Sequence, residues 1–440
     1  MTFHGLRRRS FLGVLGATAG AALLPACRKG DGASSDQASS GSQPSSSSKT
    51  INWWHISNTE PLLSIWAGLA REFEAAHPGV KINITPLENE AFKAKLTTVT
   101  QAGNPPDLFA SWGGGALAQQ VQAGLLRELS GDLKAFLSNV SPSGVKLYEV
   151  EGKQYGVPVD LGMVGFWYNK ELFAKAGVKS TPKTWGELLE VVKQLKAANI
   201  VPIAMAGGEK WPAHFYWAYL VIRQSGVAGM ADAAKTGDFD RPEFVNAGVE
   251  LKKLIDLKPF QPGYLGAKYM ATDGQAAIMG NGQAAMELMG QWAPPTQAAY
   301  STNKKGIGDK LGFFPFPALE GGKGSPNDVF GGGNGFTVGK NAPPETLEFV
   351  KFLLSVGSQR KTAVGGYLPV TKGAEDAIQD PNAKLVHEAL TQATGFQLYL
   401  DQAYPPAIGQ QVNDGMAELL AGSASPQAVA QAIAKVAKSQ

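Results

Sequence analysis

Residues 50–87 read TINWWHISNTEPLLSIWAGLAREFEAAHPGVKINITPL, and this stretch decides the fold class. TINWWH is short, β-branched and aromatic, which predicts a strand. In the segment after Pro61, Leu62, Ile65, Trp66, Leu69 and Phe73 recur at helical spacing on one face, and a Pro-Gly pair at 78–79 ends the run. VKINITPL then predicts a second strand. A strand, an amphipathic helix and a strand in this order imply a crossover and a mostly parallel sheet.

Outward from this unit the alternation continues. NEAFKAKLTTVTQAG (89–103) predicts a helix and PDLFASW (106–112) a third strand. A second series starts after Gly156. Thr184 and Glu187 have capping-box spacing and open a helix that buries Trp185, Leu188, Leu189, Val192 and Leu195, with VPIAMAG (201–207) as the strand behind it. The last seventy residues read as mainly helical. The economical architecture is α/β, in two lobes.

Ligands of parallel α/β sheets sit beyond the carboxyl ends of the strands. Here the loops at those ends are HISNTE (55–60), WGGG (112–115) and GGEKWPAH (207–214). Each combines a ring with glycine or polar neighbours. Such loops suit a flat, hydroxylated ligand such as a sugar, whose C–H faces stack on aromatic rings while its hydroxyls pair with amides, carboxylates or imidazole. Other rings have plainer explanations. Trp53 shares the core face of its strand with Ile51, Trp54 faces the opposite side, and Trp66 and Trp185 sit on helical stripes. His77 is a turn residue and His387 a solvated helix residue. GGGNG (331–335) lacks the Lys-Ser/Thr ending of a phosphate loop, and NKKGIGDK (303–310) reads as a solvated loop.

The amino terminus reads as an address. Arg7, Arg8 and Arg9 precede Phe11-Leu12 and the short run GVLGATAGAALL, which ends just before Cys27, the only cysteine of the chain. Paired arginines of this kind resemble a twin-arginine export signal, and Leu24-Pro25-Ala26-Cys27 resembles a lipoprotein cleavage box that leaves a lipidated cysteine. Residues 1–26 are thus expected to be a signal peptide and 27–49 a lipidated cysteine with a disordered, serine-rich tether, roughly 25 Å long as a flexible coil. Without residues 1–26 the forty basic residues fall to 37, against 37 acids. A neutral body gives no electrostatic pull toward nucleic acid. The remaining length of about 414 residues supports two or three domain-sized units.

Signatures of chemistry are sparse. The sequence has no His-Glu-x-x-His, no cysteine or histidine pair at metal spacing and no Gly-x-Ser-x-Gly elbow, so neither metal nor cofactor is expected. The carboxylate pair of a glycoside hydrolase needs no fixed spacing, so a surface-anchored hydrolase stands as the second reading.

Several segments, taken in order, resemble the family 1 extracellular solute-binding proteins of ABC transporters, the group of the maltose-binding proteins. They are FEAAHPGVKINI, PPDLFASWGGGALAQQVQAGLL, YGVPVDLGMVGFWYNKELFAKAG, GNGQAAMELMGQWAP and FGGGNGFTVGKNAP. Within the group, WWHISNTEP and YLDQAYPPAIGQQVNDGM look most like xylobiose- and raffinose-type binders. The resemblance implies a two-lobed periplasmic-binding-protein fold of type II, with a ligand cleft between lobes and three hinge crossings, near Asp160, Gly332 and Gln359. Lobe 1 would comprise residues 50–160 with about 334–360, and lobe 2 about 161–333 with 361–440. It also implies an oligosaccharide ligand, ABC permease subunits as partners and a monomer moored by the lipid on Cys27 to the outer face of the membrane. Carried over by position, the ligand-binding residues would be His55, Asn58, Glu60, Asn89, Glu90, Trp112, Asp160, Trp211, His214, Trp292, Asn334 and Tyr404. Periodicity alone leaves Trp292 balanced between a lobe plug and a stacking platform, and the resemblance favours the platform.

Overall fold

The computed structural model describes residues 49–440; the signal-like segment, Cys27 and nearly all of the tether lie outside the described residues. The opening unit forms as its pattern predicts, with strands Lys49–His55 and Val80–Pro86 paired in parallel and helix Leu62–Ala76 between them. The helix buries Trp66, Leu69, Ala70 and Phe73, the stripe read from the sequence. Strand Leu108–Ser111 adds in parallel on the other side of the first strand. Strands Gly335–Val338 and Gly156–Pro158 complete a five-stranded sheet in which only Gly335–Val338 runs against the others.

The second sheet has the order Leu311–Phe314, Gly165–Asn169, Ala284–Met289, Val201–Ile203. Here too one strand, Gly165–Asn169, is antiparallel to its neighbours. Both sheets are therefore mixed rather than simply parallel, for a common reason. The reversed strand in each is the one the chain enters directly from the other lobe, so it starts at the hinge, where its neighbours end.

Each sheet has its own core. Ile51, Trp53, Trp66, Phe73, Phe109 and Phe349 belong to the first, and Phe166, Trp167, Trp185, Trp217, Met286 and Phe316 to the second. In lobe 2 the capping pair holds helix Trp185–Ala197: Thr184 Oγ1 accepts from Glu187 N–H at 3.3 Å, while the Glu187 carboxylate reaches back to Lys183 N–H at 2.7 Å.

A small three-stranded sheet packs into the second core through Met163, Val329, Phe330 and Leu398, in the order Gly395–Leu398, Asp328–Gly332, Gly162–Met163. The first crossing passes Asp160, and the second returns through Gly332–Asn334, which lies against it; Val159 N–H and Asp160 N–H both donate to Asn334 O. A β-carbon on Gly333 would fall 1.9 Å from Asp160 O, so only glycine allows this approach. The third crossing lies later than the expected Gln359. Gln359 is wholly buried in lobe 1, donating to Val159 O at 3.1 Å and accepting from Val370 N–H at 2.9 Å. Leu368 already packs into the second core while its neighbours Tyr367 and Val370 pack into the first; Thr371 still bonds Leu354 O, and Ile378 lies in the second core. The carboxyl-terminal region is helical as expected, apart from strand Gly395–Leu398. No helix among the described residues is long and apolar enough to cross a membrane.

Candidate functional site

The carboxyl ends of the strands of both lobes face a common cleft. From lobe 1, the loop after the first strand contributes Ser57, Asn58 and Thr59, the start of helix Asn89–Gln101 contributes Glu88, Asn89 and Lys93, and the third strand delivers Trp112. Lobe 2 supplies Glu209, Trp211, Phe215, Tyr269 and Trp292, together with Tyr399, Asp401 and Gln402 from the segment after the last hinge strand. Asn334 and Tyr367 close the hinge side.

The rings are held by one another and by local capping. Trp292 is half-buried and meets Tyr399 edge-on, with centroids 6.0 Å apart. The Trp211 indole donates to Glu209 Oε2 at 3.2 Å and packs on Phe215 and Tyr269. Trp112 stands edge-on to Phe92, with the Lys93 ammonium 5.7 Å from its ring centre. Glu88 caps its helix by accepting from Glu90 N–H and Ala91 N–H. Burial pushes the Glu209 carboxyl up to about 7. The Tyr399 hydroxyl is buried and lacks a hydrogen-bond partner, which leaves a donor available at the cleft wall.

Of the expected ligand residues, Asn58, Asn89, Trp112, Trp211, Trp292 and Asn334 line this cleft, and Glu90 lines the groove that continues from it. Five others do not. The first strand runs through His55, so alternation sets its ring on the core face beside Trp53, 4.8 Å between centroids, with both nitrogens unpartnered; burial lowers its pKa to about 4 and keeps it neutral. Glu60 is exposed and accepts from Ser64 N–H and Oγ in the first turn of its helix. His214 is fully buried on helix Trp211–Thr236, its Nδ1 2.8 Å from Asn413 Oδ1. Tyr404 packs into the core against Phe239. Asp160 is buried one layer behind the wall, accepting from Gln291 Nε2 at 2.8 Å and from Asn334 N–H.

Against this geometry stand the comparisons with known proteins. The model of the bacterial extracellular solute-binding proteins matches residues 57–360, more than half of the chain. The chain belongs to that family. This solute-binding protein is 26% identical to the multiple sugar-binding protein of Streptococcus mutans, over 88% of its own length and 87% of the relative's. It is 28% identical to the diacetylchitobiose binding protein DasA of Streptomyces coelicolor, over 79% and 78%. Among solved structures, a chitin oligosaccharide binding protein superimposes with a TM-score of 0.82 at 28% identity, covering 89% of this chain and 98% of that one. A chain solved in work on xylan utilization by Caldanaerobius polysaccharolyticus gives 0.79 at 26%, covering 88% and 99%. The two-lobed fold expected from the sequence is the fold of these relatives.

Several cleft residues of this solute-binding protein escaped the sequence reading. Tyr399 and Asp401 follow strand Gly395–Leu398, which a helical reading of the tail hid; a strand there would have pointed to Tyr399 by the carboxyl-end rule. Glu209 lay inside a loop already singled out, GGEKWPAH. Tyr269 and Tyr367 come from irregular segments that carry no periodic signal.

Two carboxyls behind the cleft make stability depend on pH. Burial pushes both Asp160 and Glu287 up to about 7, although amide donors partly offset it: Gln291 for Asp160, Gln275 and Gln297 for Glu287. Their folded pKa values exceed those of the unfolded chain, about 4. Their contribution to stability is therefore complete below about pH 4 and lost as pH rises through about 7. Between those limits each should lower stability by about 1.4 kcal/mol per pH unit as pH increases. Urea titrations at pH 5, 6 and 7 should show a shallower slope in Asp160→Asn and in Glu287→Gln than in the wild type. Slopes equal to the wild type would refute the assignment.

Proposed function

We propose that the protein is the oligosaccharide receptor of an ABC importer. The observation that carries this reading is that Trp112 from one lobe and Trp211, Trp292 and Tyr399 from the other line one cleft, together with Asn89, Asp401, Gln402 and Asn334. Rings on both sides can sandwich the C–H faces of a sugar, and acceptors and amides around them can pair with its hydroxyls. The sugar-binding names of the relatives support the same reading. A short β-linked chain such as xylobiose is the ligand we put forward first.

Calorimetric titration with xylo-, chito- and malto-oligosaccharides tests this. One series should bind, and every series should be recovered intact after prolonged incubation. Turnover that follows the protein through purification and is lost in a single carboxylate variant would establish the hydrolase instead. The absence of binding to any sugar would refute the receptor.

On the same reading the protein works as a monomer outside the cytoplasmic membrane, held by lipid on Cys27, and hands its ligand to permease subunits. Several acyl chains hold such an anchor where one would not. Cys27→Ala should abolish lipid attachment, and mass spectrometry of membrane-extracted wild type should find Cys27 acylated. An unmodified thiol there would refute the anchor.

A further inference from the structure

Strand Ala284–Met289 is buried along its whole length, and every residue in it is apolar except Glu287, which is wholly buried. Its carboxylate meets no cation. Among the described residues its hydrogen-bond partners are two amides, Gln275 Nε2 on Oε2 at 2.8 Å and Gln297 Nε2 on Oε1 at 2.6 Å. Both glutamines are themselves only 1% exposed. Leucine would fill this position without the cost of burying an unpaired charge. What leucine lacks is an acceptor for each of two amides.

The two amides come from the two segments that carry tryptophans of lobe 2 into the cleft. Gln275 opens helix Gln275–Gly280, and its Oε1 accepts from Ala206 N–H at 2.6 Å. Ala206 stands immediately before GGEKW (207–211), the loop that delivers Glu209 and Trp211. Gln297 belongs to helix Ala293–Tyr300, which starts directly after Trp292. A β-carbon on Gly280 would fall 2.2 Å from Gln297 O, so the helices bearing the two amides touch at the backbone. The carboxylate thus stands between the Trp211 loop and the Trp292 helix, with one oxygen for each.

We propose that Glu287 is a positioning residue for sugar binding, holding the Trp211 loop and the Trp292 helix at a fixed spacing through its two amides. This rests on the sugar-receptor reading and adds to it the buried group that sets two of its rings. Stacking is sensitive to such spacing, because a gap of about 0.5–1 Å already forfeits a quarter to a half of the dispersion energy of a contact. Each amide serves one ring. Cutting the Gln297 link frees Trp292, and cutting the Gln275 link frees Trp211.

Calorimetry with xylotriose, chitotriose and maltotriose tests this, the sugar that the wild type binds being carried through all variants. Gln297→Met and Gln275→Met should each weaken binding about tenfold. The effects should then cross over in tryptophan backgrounds. With Trp292→Ala already present, Gln297→Met should cost less than about twofold more, while in Trp211→Ala it should keep its full effect. Gln275→Met should do the reverse. Should either methionine variant fail to fold with the carboxylate one donor short, Glu287→Gln is combined with it. The substituted amide still accepts from the remaining glutamine, and no buried charge is stranded. Equal losses in both tryptophan backgrounds, or wild-type affinity in both methionine variants, would show that Glu287 serves the fold alone and would overturn positioning while leaving the sugar receptor standing. Absence of heat with all three sugars in the wild type would overturn the sugar receptor itself, and positioning with it.

Discussion

Replacing Trp292 by alanine should weaken oligosaccharide binding at least about thirtyfold, or about 2 kcal/mol, the scale of an interface hot spot. The ring stands at the end of strand Ala284–Met289, where helix Ala293–Tyr300 begins, and its backbone carbonyl accepts from Thr296 Oγ1 at 2.8 Å. Those backbone bonds do not depend on the indole. The ring itself folds back over Gly290, where a β-carbon would meet it at 1.9 Å, and rests edge-on against Tyr399. Half-buried against the second core, the ring also lines the cleft, so truncation should remove a stacking surface while leaving the lobe folded. A tryptophan plugging a core would behave otherwise, costing about 3–5 kcal/mol of stability. Melting temperature and affinity measured on one variant separate the cases. A large loss of stability with wild-type affinity would take Trp292 out of the site.

The largest effect on stability is expected far from any ligand. Arg223 is 2% exposed, on helix Trp211–Thr236. Its Nε donates to Pro317 O at 3.1 Å, Nη2 to Phe316 O at 2.9 Å, and Nη1 to Ser325 O and Asp328 O at 3.1 and 2.8 Å. The guanidinium lies 5.1 Å from the centre of the Tyr219 ring. One planar fork thus satisfies four backbone carbonyls on the segment that leads into hinge strand Asp328–Gly332. Arg223→Met keeps much of the packing and strands all four acceptors, at about 1 kcal/mol or more each. We expect a loss of about 4 kcal/mol in urea denaturation. Arg223→Lys should recover only part of it, because an ammonium cannot reproduce the fork. A denaturation midpoint unchanged from wild type would show that water replaces the guanidinium.

What the sequence made legible follows from periodicity. The opening strand–helix–strand and the capped helix after Thr184 each carry a repeating apolar pattern, and each formed as read. The reversed strand in each sheet was hidden because strand direction depends on where the chain re-enters a lobe, which leaves no mark on local composition. Site residues divide in the same way. Trp112 and Trp211 were found because they stand where strands or turns give out. His55 was placed in the cleft although the alternation Ile51, Trp53, His55 already set it on the core face. Tyr404 came from the resemblance alone and lies in the core, while Tyr399 went unread because a four-residue hinge strand inside a helical tail has too little pattern to stand out. The cleft's polar groups, Glu209 and Asp401 among them, are brought together only by tertiary structure.

Whether a sugar ring sits between the lobes against Trp292 is read from a crystal structure of the protein grown with the oligosaccharide that binds most tightly. A pyranose ring should be stacked within about 4 Å of the Trp292 indole. Its hydroxyls should pair with Asp401 and Asn89, with Trp112 and Trp211 also in contact with the sugar. A sugar bound outside the space between the lobes, or a cleft left without sugar in crystals of protein shown to be saturated, would contradict this placement.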